Sequence, residues 1–254
     1  MDLRLGSYED VLGDVKADLI FTSPPYNIGS RSVRIDGNRK HGLYDAKSYG
    51  AITDYPDSVP EDQYQDSQEK FFLWAYAHLA PKGVLVYNHK PRRVNGALVT
   101  PESWFLRPAV AQRLVLMESI VWDRGSTHNH SPAMMWPHTE NLYVFRRAQD
   151  GYRLNNRTSE NLPFRSNVWR VSSQGAARRS GGHNAPFPME LADGVIAAWS
   201  RPGELVCDPY MGSGTTAIAA SRRGRRFVGS EVLPKYHALA VDRASDAVKT
   251  EESA

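Results

Sequence analysis

Seven short apolar runs, separated by helix-patterned or turn-rich stretches, constrain this chain more than any other feature. The first is a brief run near Leu3. The others are ADLIF (17–21), VLVYN (84–88), LVLMESIVW (114–122), HTENLYVF (138–145), ELVCD (204–208) and RFVGSE (226–231). Runs this short and this apolar read as strands covered on both faces. A helix is expected at about 8–15, another over 62–80 ended by Pro81-Lys82-Gly83, and a third within 103–113. Three more are expected: from Pro186 to Trp199, over TTAIAASRR, and from about Pro234. The runs at 114–122 and 138–145 read as a hairpin or edge pair. Strands alternating with helices predict an α/β fold, a mostly parallel seven-stranded sheet with helices on both faces. The aromatic run FFLWAY (71–76) recurs at helical spacing and reads as core.

Composition narrows the class. A 41% hydrophobic content supplies a core, and no apolar run approaches the roughly 20 residues of a membrane span. The N-terminus MDLRLGSYED lacks the pattern of a signal peptide, so a cytoplasmic location is expected. The lone cysteine, Cys207, cannot form an internal disulfide or supply a thiolate metal site. His138 and Glu140 could look like a metal pair, but alternation puts both on one strand face without further ligands. They read as structural, and no metal is expected. Net charge is only +3, yet its distribution is uneven. Residues 54–69 are acidic, whereas 161–189 lack acids and carry Arg165, Arg170, Arg178 and Arg179, a pattern compatible with a polyanion.

Two strand ends carry unusual chemistry. ADLIF runs into TSPPYNIG (22–29), where Pro24 and Pro25 remove two backbone donors and fix two φ angles. A stiff corner follows, with the Ser23 hydroxyl, the Pro24 carbonyl and the Tyr26 ring. ELVC runs into DPYMGSGTT (208–216), a Gly-rich turn that opens a helix. Gly212 and Gly214 permit close backbone approach, and free amides at the helix start favour polar groups. Glu231 ends the next strand 19 residues after Gly212, near the spacing of about 20 at which an acid meets ribose hydroxyls. A phosphate loop needs Gly-Lys before Ser or Thr, but Thr215 follows Gly214 directly. A third glycine for the dinucleotide pattern is also missing.

Together TSPPY and DPYMGSGTT resemble the β class of S-adenosylmethionine-dependent DNA amino-methyltransferases. Their signatures are (D/N/S)-P-P-(Y/F) and D-P-F-x-G-S-G-T, with the catalytic motif before the cofactor motif. GVLVYNHKP, ESIVWDRG, HTENLYVF and HNAPFPMEL resemble the remaining core segments. The resemblance implies a Rossmann-like sheet with circularly permuted motif order, in one methyltransferase domain over 1–254. It also implies a DNA-facing loop at 29–60 and a target-recognition segment at 148–183. Ser23, Pro24, Pro25 and Tyr26 would be catalytic. S-adenosylmethionine would be held by Asp208, Pro209, Tyr210, Gly212, Ser213, Gly214 and Thr215, with Glu231 on the ribose. Phe187, Pro188 and Ser7 would line the same pocket, though the family often has Gly-Asp where this chain has Gly6-Ser7.

An exocyclic base amine is a poor nucleophile because its lone pair is delocalised into the ring. Fixed acceptors such as Ser23 Oγ and the Pro24 carbonyl favour a nitrogen whose lone pair points at the methyl group. Tyr26 is suited to stack on a base taken out of the duplex. By the resemblance, Ser at position 23 favours cytosine N4. Adenine N6 with the same mechanism is the alternative, and methylation of RNA or protein, or an inactive DNA-binding relic, lies further off. Cytosine C5 chemistry needs a nucleophilic thiolate, and Cys207 lies on an apolar strand. Lys90, ending a strand with Asn88 and His89, reads either as a phosphate or cofactor contact or as a solvated strand end. Double-stranded DNA is the expected partner, touched by Arg31, Arg34, Arg39 and Lys40 of the first loop and by Arg165, Arg170, Arg178 and Arg179 of the second. A recognition segment this short suits a short target site or a homodimer. Any nuclease of a restriction-modification pair would be a separate chain.

Overall fold

The computed structural model describes residues 1–27, 59–125, 135–151, 165–173 and 187–252. Ten strands and seven helices lie among them. The strands are β1 (Asp2–Leu5), β2 (Ala17–Thr22), β3 (Leu79–His89), β4 (Arg92–Val94), β5 (Ala97–Val99), β6 (Leu114–Asp123), β7 (Thr139–Arg147), β8 (Val168–Arg170), β9 (Leu205–Asp208) and β10 (Arg226–Glu231). The helices are α1 (Tyr8–Val11), α2 (Glu61–His78), α3 (Glu102–Phe105), α4 (Pro108–Ala111), α5 (Met189–Trp199), α6 (Thr215–Arg222) and α7 (Pro234–Glu252). The main sheet has the order β1-β10-β9-β2-β3-β7-β6-β8, and β4 and β5 form a separate hairpin. Within the main sheet β7 alone runs antiparallel to its neighbours. The seven expected strands are therefore present, and an eighth joins them. β8, inside the segment expected to read DNA, pairs in parallel with the end of β6.

Alternation between two covered faces explains the consecutive apolar residues at the centres of the strand runs. Leu19, Phe21, Val84, Val86, Leu142, Val144 and Val206 face one core with α5 and α6. Ile20, Leu85, Tyr87, Tyr143, Phe145 and Cys207 face the other, with α1 to α4. Phe71, Phe72 and Ala75 of the aromatic run are completely buried there. Each fully buried Phe or Leu contributes about 1.5–3 kcal/mol.

Two helix expectations shift for local reasons. The segment 103–113 breaks into α3 and α4 because Arg107 precedes Pro108 and takes extended geometry (ψ 143°). α2 ends at His78, and Pro81-Lys82-Gly83 lie inside β3 as an irregularity against β2, where Ala17 pairs with Leu79 but Leu19 with Val84. A Cβ on Gly83 would lie 2.8 Å from the Ala17 carbonyl and 2.9 Å from that of Ala80, so this crossing needs glycine.

Parallel pairing gives the sheet one functional edge. β1, β10, β9, β2, β3 and β6 all end there, and antiparallel β7 begins there. Ligands of open α/β sheets bind outside the carboxyl ends of the strands.

Candidate active site

The two motifs meet through one buried hydrogen bond. β2 and β9 are neighbours, and Thr22 Oγ1 donates to Asp208 Oδ1 at 2.8 Å across 186 residues of sequence. Asp208 also accepts from Thr216 Oγ1 (2.6 Å) and from the Tyr210 amide (3.1 Å). Its carboxylate thus braces the Gly-rich turn from beneath. Burial pushes the Asp208 carboxyl up to about 6, against the lowering effect of those three donors.

The rest of the turn is equally well tied. The Pro209 carbonyl accepts from Ser230 Oγ (2.8 Å), and Ser213 Oγ accepts from Arg243 (2.8 Å). The Tyr210 ring packs beside Tyr8 and Phe71, and Thr215 opens α6 as a buried residue. Gly214 has φ 78°, and a Cβ there would lie 3.1 Å from that of Ala240. This glycine therefore lets α7 pack close, in addition to turning the chain. Gly212 (φ 52°) aims its amide at Glu231 Oε2 (3.1 Å), while Leu233 N donates to Oε1 (2.9 Å). Burial raises the Glu231 carboxyl above its ordinary value. Gly6 N donates to the Glu231 carbonyl, so Ser7 lies at the same edge. Ser7 caps α1, and its hydroxyl donates to Asp10 Oδ2 at 2.6 Å, bringing a carboxylate to a position where the sequence has none. Phe187 packs on Phe21 with ring centroids 4.9 Å apart, and Pro188 precedes α5.

The proline corner is held from several sides. Tyr64 Oη donates to the Pro25 carbonyl (2.8 Å) and lies 2.8 Å from His89 Nε2. Burial keeps His89 neutral, well below its ordinary pKa. Arg92 sits over the Tyr64 ring and makes a two-pronged ion pair with Glu61. Asn27, at φ 54°, closes the corner by exchanging two hydrogen bonds with the Val59 backbone (3.0 and 2.8 Å). Among the described residues no donor lies on the Pro24 carbonyl.

Tyr26 is more engaged than a stacking platform would be. Its ring packs on His89 (4.4 Å between centroids), with Lys90 Nζ 5.3 Å from its centre. Its hydroxyl lies 2.8 Å from Ser23 Oγ and donates to Glu140 Oε2 at 3.0 Å. Burial, reinforced by Glu140, holds the phenol well above its ordinary pKa, so it stays protonated. Asn88 Nδ2 reaches Tyr26 Oη (3.0 Å), Glu140 Oε2 (3.2 Å) and, at 3.4 Å, Ser23 Oγ. Arg124 (3.0 Å) and Lys90 (3.7 Å) balance the other oxygen of Glu140, which is 6% exposed.

Glu140 and Arg124 are therefore site residues that sequence reasoning missed. Glu140 read as structural beside His138, yet His138 is exposed and precedes β7, while Glu140 turns inward. The only available signal was a carboxylate at the start of an otherwise apolar strand. Lys90 resolves as a partner of Glu140. Among the described residues no three His, Cys, Asp or Glu converge as a metal set. Cys207 is buried and its thiol pushed up, unfit as a nucleophile. Arg170 is exposed at the functional edge, 3.8 Å from Asp123, and Arg165 is exposed ahead of β8. Arg31, Arg34, Arg39, Lys40, Arg178 and Arg179 lie outside the described residues. No described helix is long and apolar enough to cross a membrane.

An open α/β sheet with a Gly-rich turn, an acid on the next strand and a proline corner beside them defines a transferase-like nucleotide-cofactor site. The chain belongs to the N6/N4 DNA methylase family, whose model matches residues 17–242. It is 32% identical to the type II methyltransferase M.Cfr9I of Citrobacter freundii over 147 residues, which are 56% of this chain and 45% of that protein. It is 37% identical to the orphan methyltransferase M.BamHII of Bacillus amyloliquefaciens over 31% of each chain. The matched stretches thus span less than half the length of these curated relatives. Two solved structures share the fold. PvuII DNA methyltransferase (cytosine-N4-specific) has a TM-score of 0.67 at 18% identity, covering 96% of this chain and 90% of that one. TTHA0409 of Thermus thermophilus, complexed with S-adenosyl-L-methionine, has a TM-score of 0.66 at 24% identity, covering 97% and 94%.

Proposed function

We propose that this chain methylates an exocyclic amine of a DNA base that has left the duplex, with cytosine N4 as the target. The observation that carries this reading is the Thr22–Asp208 bond, which sets the Ser23–Pro24 acceptors directly beside the Gly-rich turn. Family membership and the methyltransferase relatives support the same chemistry. S-adenosylmethionine would supply the methyl group as a sulfonium that accepts the breaking bond's electron pair.

The residues present fit that cofactor. Each Glu231 oxygen accepts one backbone amide and keeps a lone pair, enough for the two hydroxyls of a ribose. Phe187 and Ser7 flank the same edge. Asp208 accepts three hydrogen bonds, from Thr22, Thr216 and the Tyr210 amide, and so holds the turn in place. Ser23 Oγ and the Pro24 carbonyl would orient the amine, and their rigid mounting is the preorganisation such a site needs. A hydroxyl at position 23 supports cytosine N4, and adenine N6 remains the second reading, since the same acceptors suit either amine. Arg165 and Arg170, with the basic residues of 29–60 and 148–183, would contact DNA.

The test is direct. The pure protein is incubated with S-adenosylmethionine and unmethylated duplex DNA, and the digested nucleosides are identified by mass spectrometry. N4-methylcytosine supports the reading, N6-methyladenine moves the target base, and no methylated base on any duplex refutes it.

A further inference from the structure

We propose that Ser23, Tyr26 and Glu140 form a one-way hydrogen-bond relay that makes Ser23 an obligatory acceptor and carries the substrate's proton to Glu140. The proposal rests on the methylation reading above and adds a role for residues that reading does not use. Glu140 and Tyr26 are positioning residues in it, since neither needs to touch the base.

Hydrogen-bond counting gives the direction. Glu140, paired with Arg124 and Lys90, can only accept, so the single proton of Tyr26 Oη goes to Oε2. Tyr26 Oη then accepts from Asn88 Nδ2 and from Ser23, 2.8 Å away. The Ser23 proton is thereby committed inward, and its outward lone pair faces the corner where the Pro24 carbonyl also lies. Without Glu140 the two hydroxyls could reverse, and Ser23 would point a donor at an amine that is itself a donor. Two cations, Arg124 and Lys90, lie beside this carboxylate at 6% exposure and offset the cost of burying it.

The same chain balances the reaction. As the new C–N bond forms, the nitrogen must lose one proton. Ser23 Oγ can take it only by releasing its own to Tyr26 Oη, which passes its proton to Glu140 Oε2. Both hydroxyls end neutral with their hydrogens turned toward the substrate, and the carboxylate ends protonated; release of that proton to solvent past Lys90 or Arg124, with rotation of both hydroxyls back toward Glu140, resets the site.

Glu140→Gln, Tyr26→Phe and the double variant test this, with melting curves and cofactor titrations confirming that each is folded. Tyr26→Phe leaves the Glu140 ion cluster intact, so it serves if Glu140→Gln does not fold. The first readout needs no cofactor. Duplexes bearing the target base are compared with duplexes bearing 2-pyrimidinone or purine, which lack the amine. Wild type should prefer the amine by about 2- to 10-fold, and both variants should lose that preference. In single-turnover assays each variant should slow transfer on the order of 10²–10⁴-fold with cofactor affinity unchanged. The double variant should be no slower than the slower single one, because the residues act in series. Multiplicative losses in the double variant, or an unchanged amine preference, would overturn the relay. If wild type itself methylates no duplex, the functional reading fails instead.

Discussion

Asp208→Asn should abolish a specific pH dependence of folding stability. The Asp208 carboxyl is pushed from an ordinary 3.8 up to about 6 by burial, so the folded chain holds its proton more tightly than the unfolded chain. Its contribution is therefore most favourable at low pH and is lost as pH rises from about 4 through about 6. The full difference corresponds to about 3 kcal/mol. Between pH 7.5 and pH 5 the wild-type chain should gain about 1.4 kcal/mol from this group alone. Asparagine can accept from Thr22 and the Tyr210 amide and donate to Thr216, so the buried geometry survives while the charge goes. Urea unfolding of both proteins at the two pH values gives the answer as a difference of differences. Relative to wild type, the Asn variant should be about 1.4 kcal/mol better placed at pH 7.5 than at pH 5. Glu231 titrates in both proteins and drops out to first order. A wild-type-to-variant difference that does not change with pH would refute the argument that burial governs this carboxylate.

Gly83→Ala should lower stability by about 1–3 kcal/mol in the same urea assay, since the new methyl meets two carbonyl oxygens below 3.0 Å. Cys207→Ala should keep methyl transfer within about twofold while losing about 1 kcal/mol of stability, as expected for buried filler; loss of transfer in a folded variant would revive thiolate chemistry. Arg170→Ala should weaken duplex binding similarly across sequences and reduce the slope of log affinity against log salt by about 0.9, measured by fluorescence anisotropy. A change confined to one base pair would instead assign Arg170 to base reading.

The fold is most legible in the sequence where the chemistry is local. A strand covered on both faces is apolar on both near its centre, so β2, β3, β9 and β10 stand out from their neighbours. Two prolines or a Gly-rich turn announce themselves without any partner. It is less legible at β8, whose three residues depend on the edge of β6, and at the break between α3 and α4. The placement of Pro81-Lys82-Gly83 inside a strand also needed the facing Ala17 backbone to become visible.

By itself the sequence determined the α/β class, the proline corner, the cofactor-type turn and the spacing to Glu231, because each is set by residues near one another in the chain. Only the tertiary structure decided that Asp208 bonds to Thr22 beside the proline corner, and that Ser7 gains a carboxylate from Asp10. It also decided that Glu140 joins Tyr26 across 114 residues. A buried carboxylate takes its meaning from the donors and cations that surround it, and for Glu140 these come from the corner after β2, the end of β3 and the residues just past β3 and β6. Their convergence is a property of strand order and register, which no single stretch of the chain encodes.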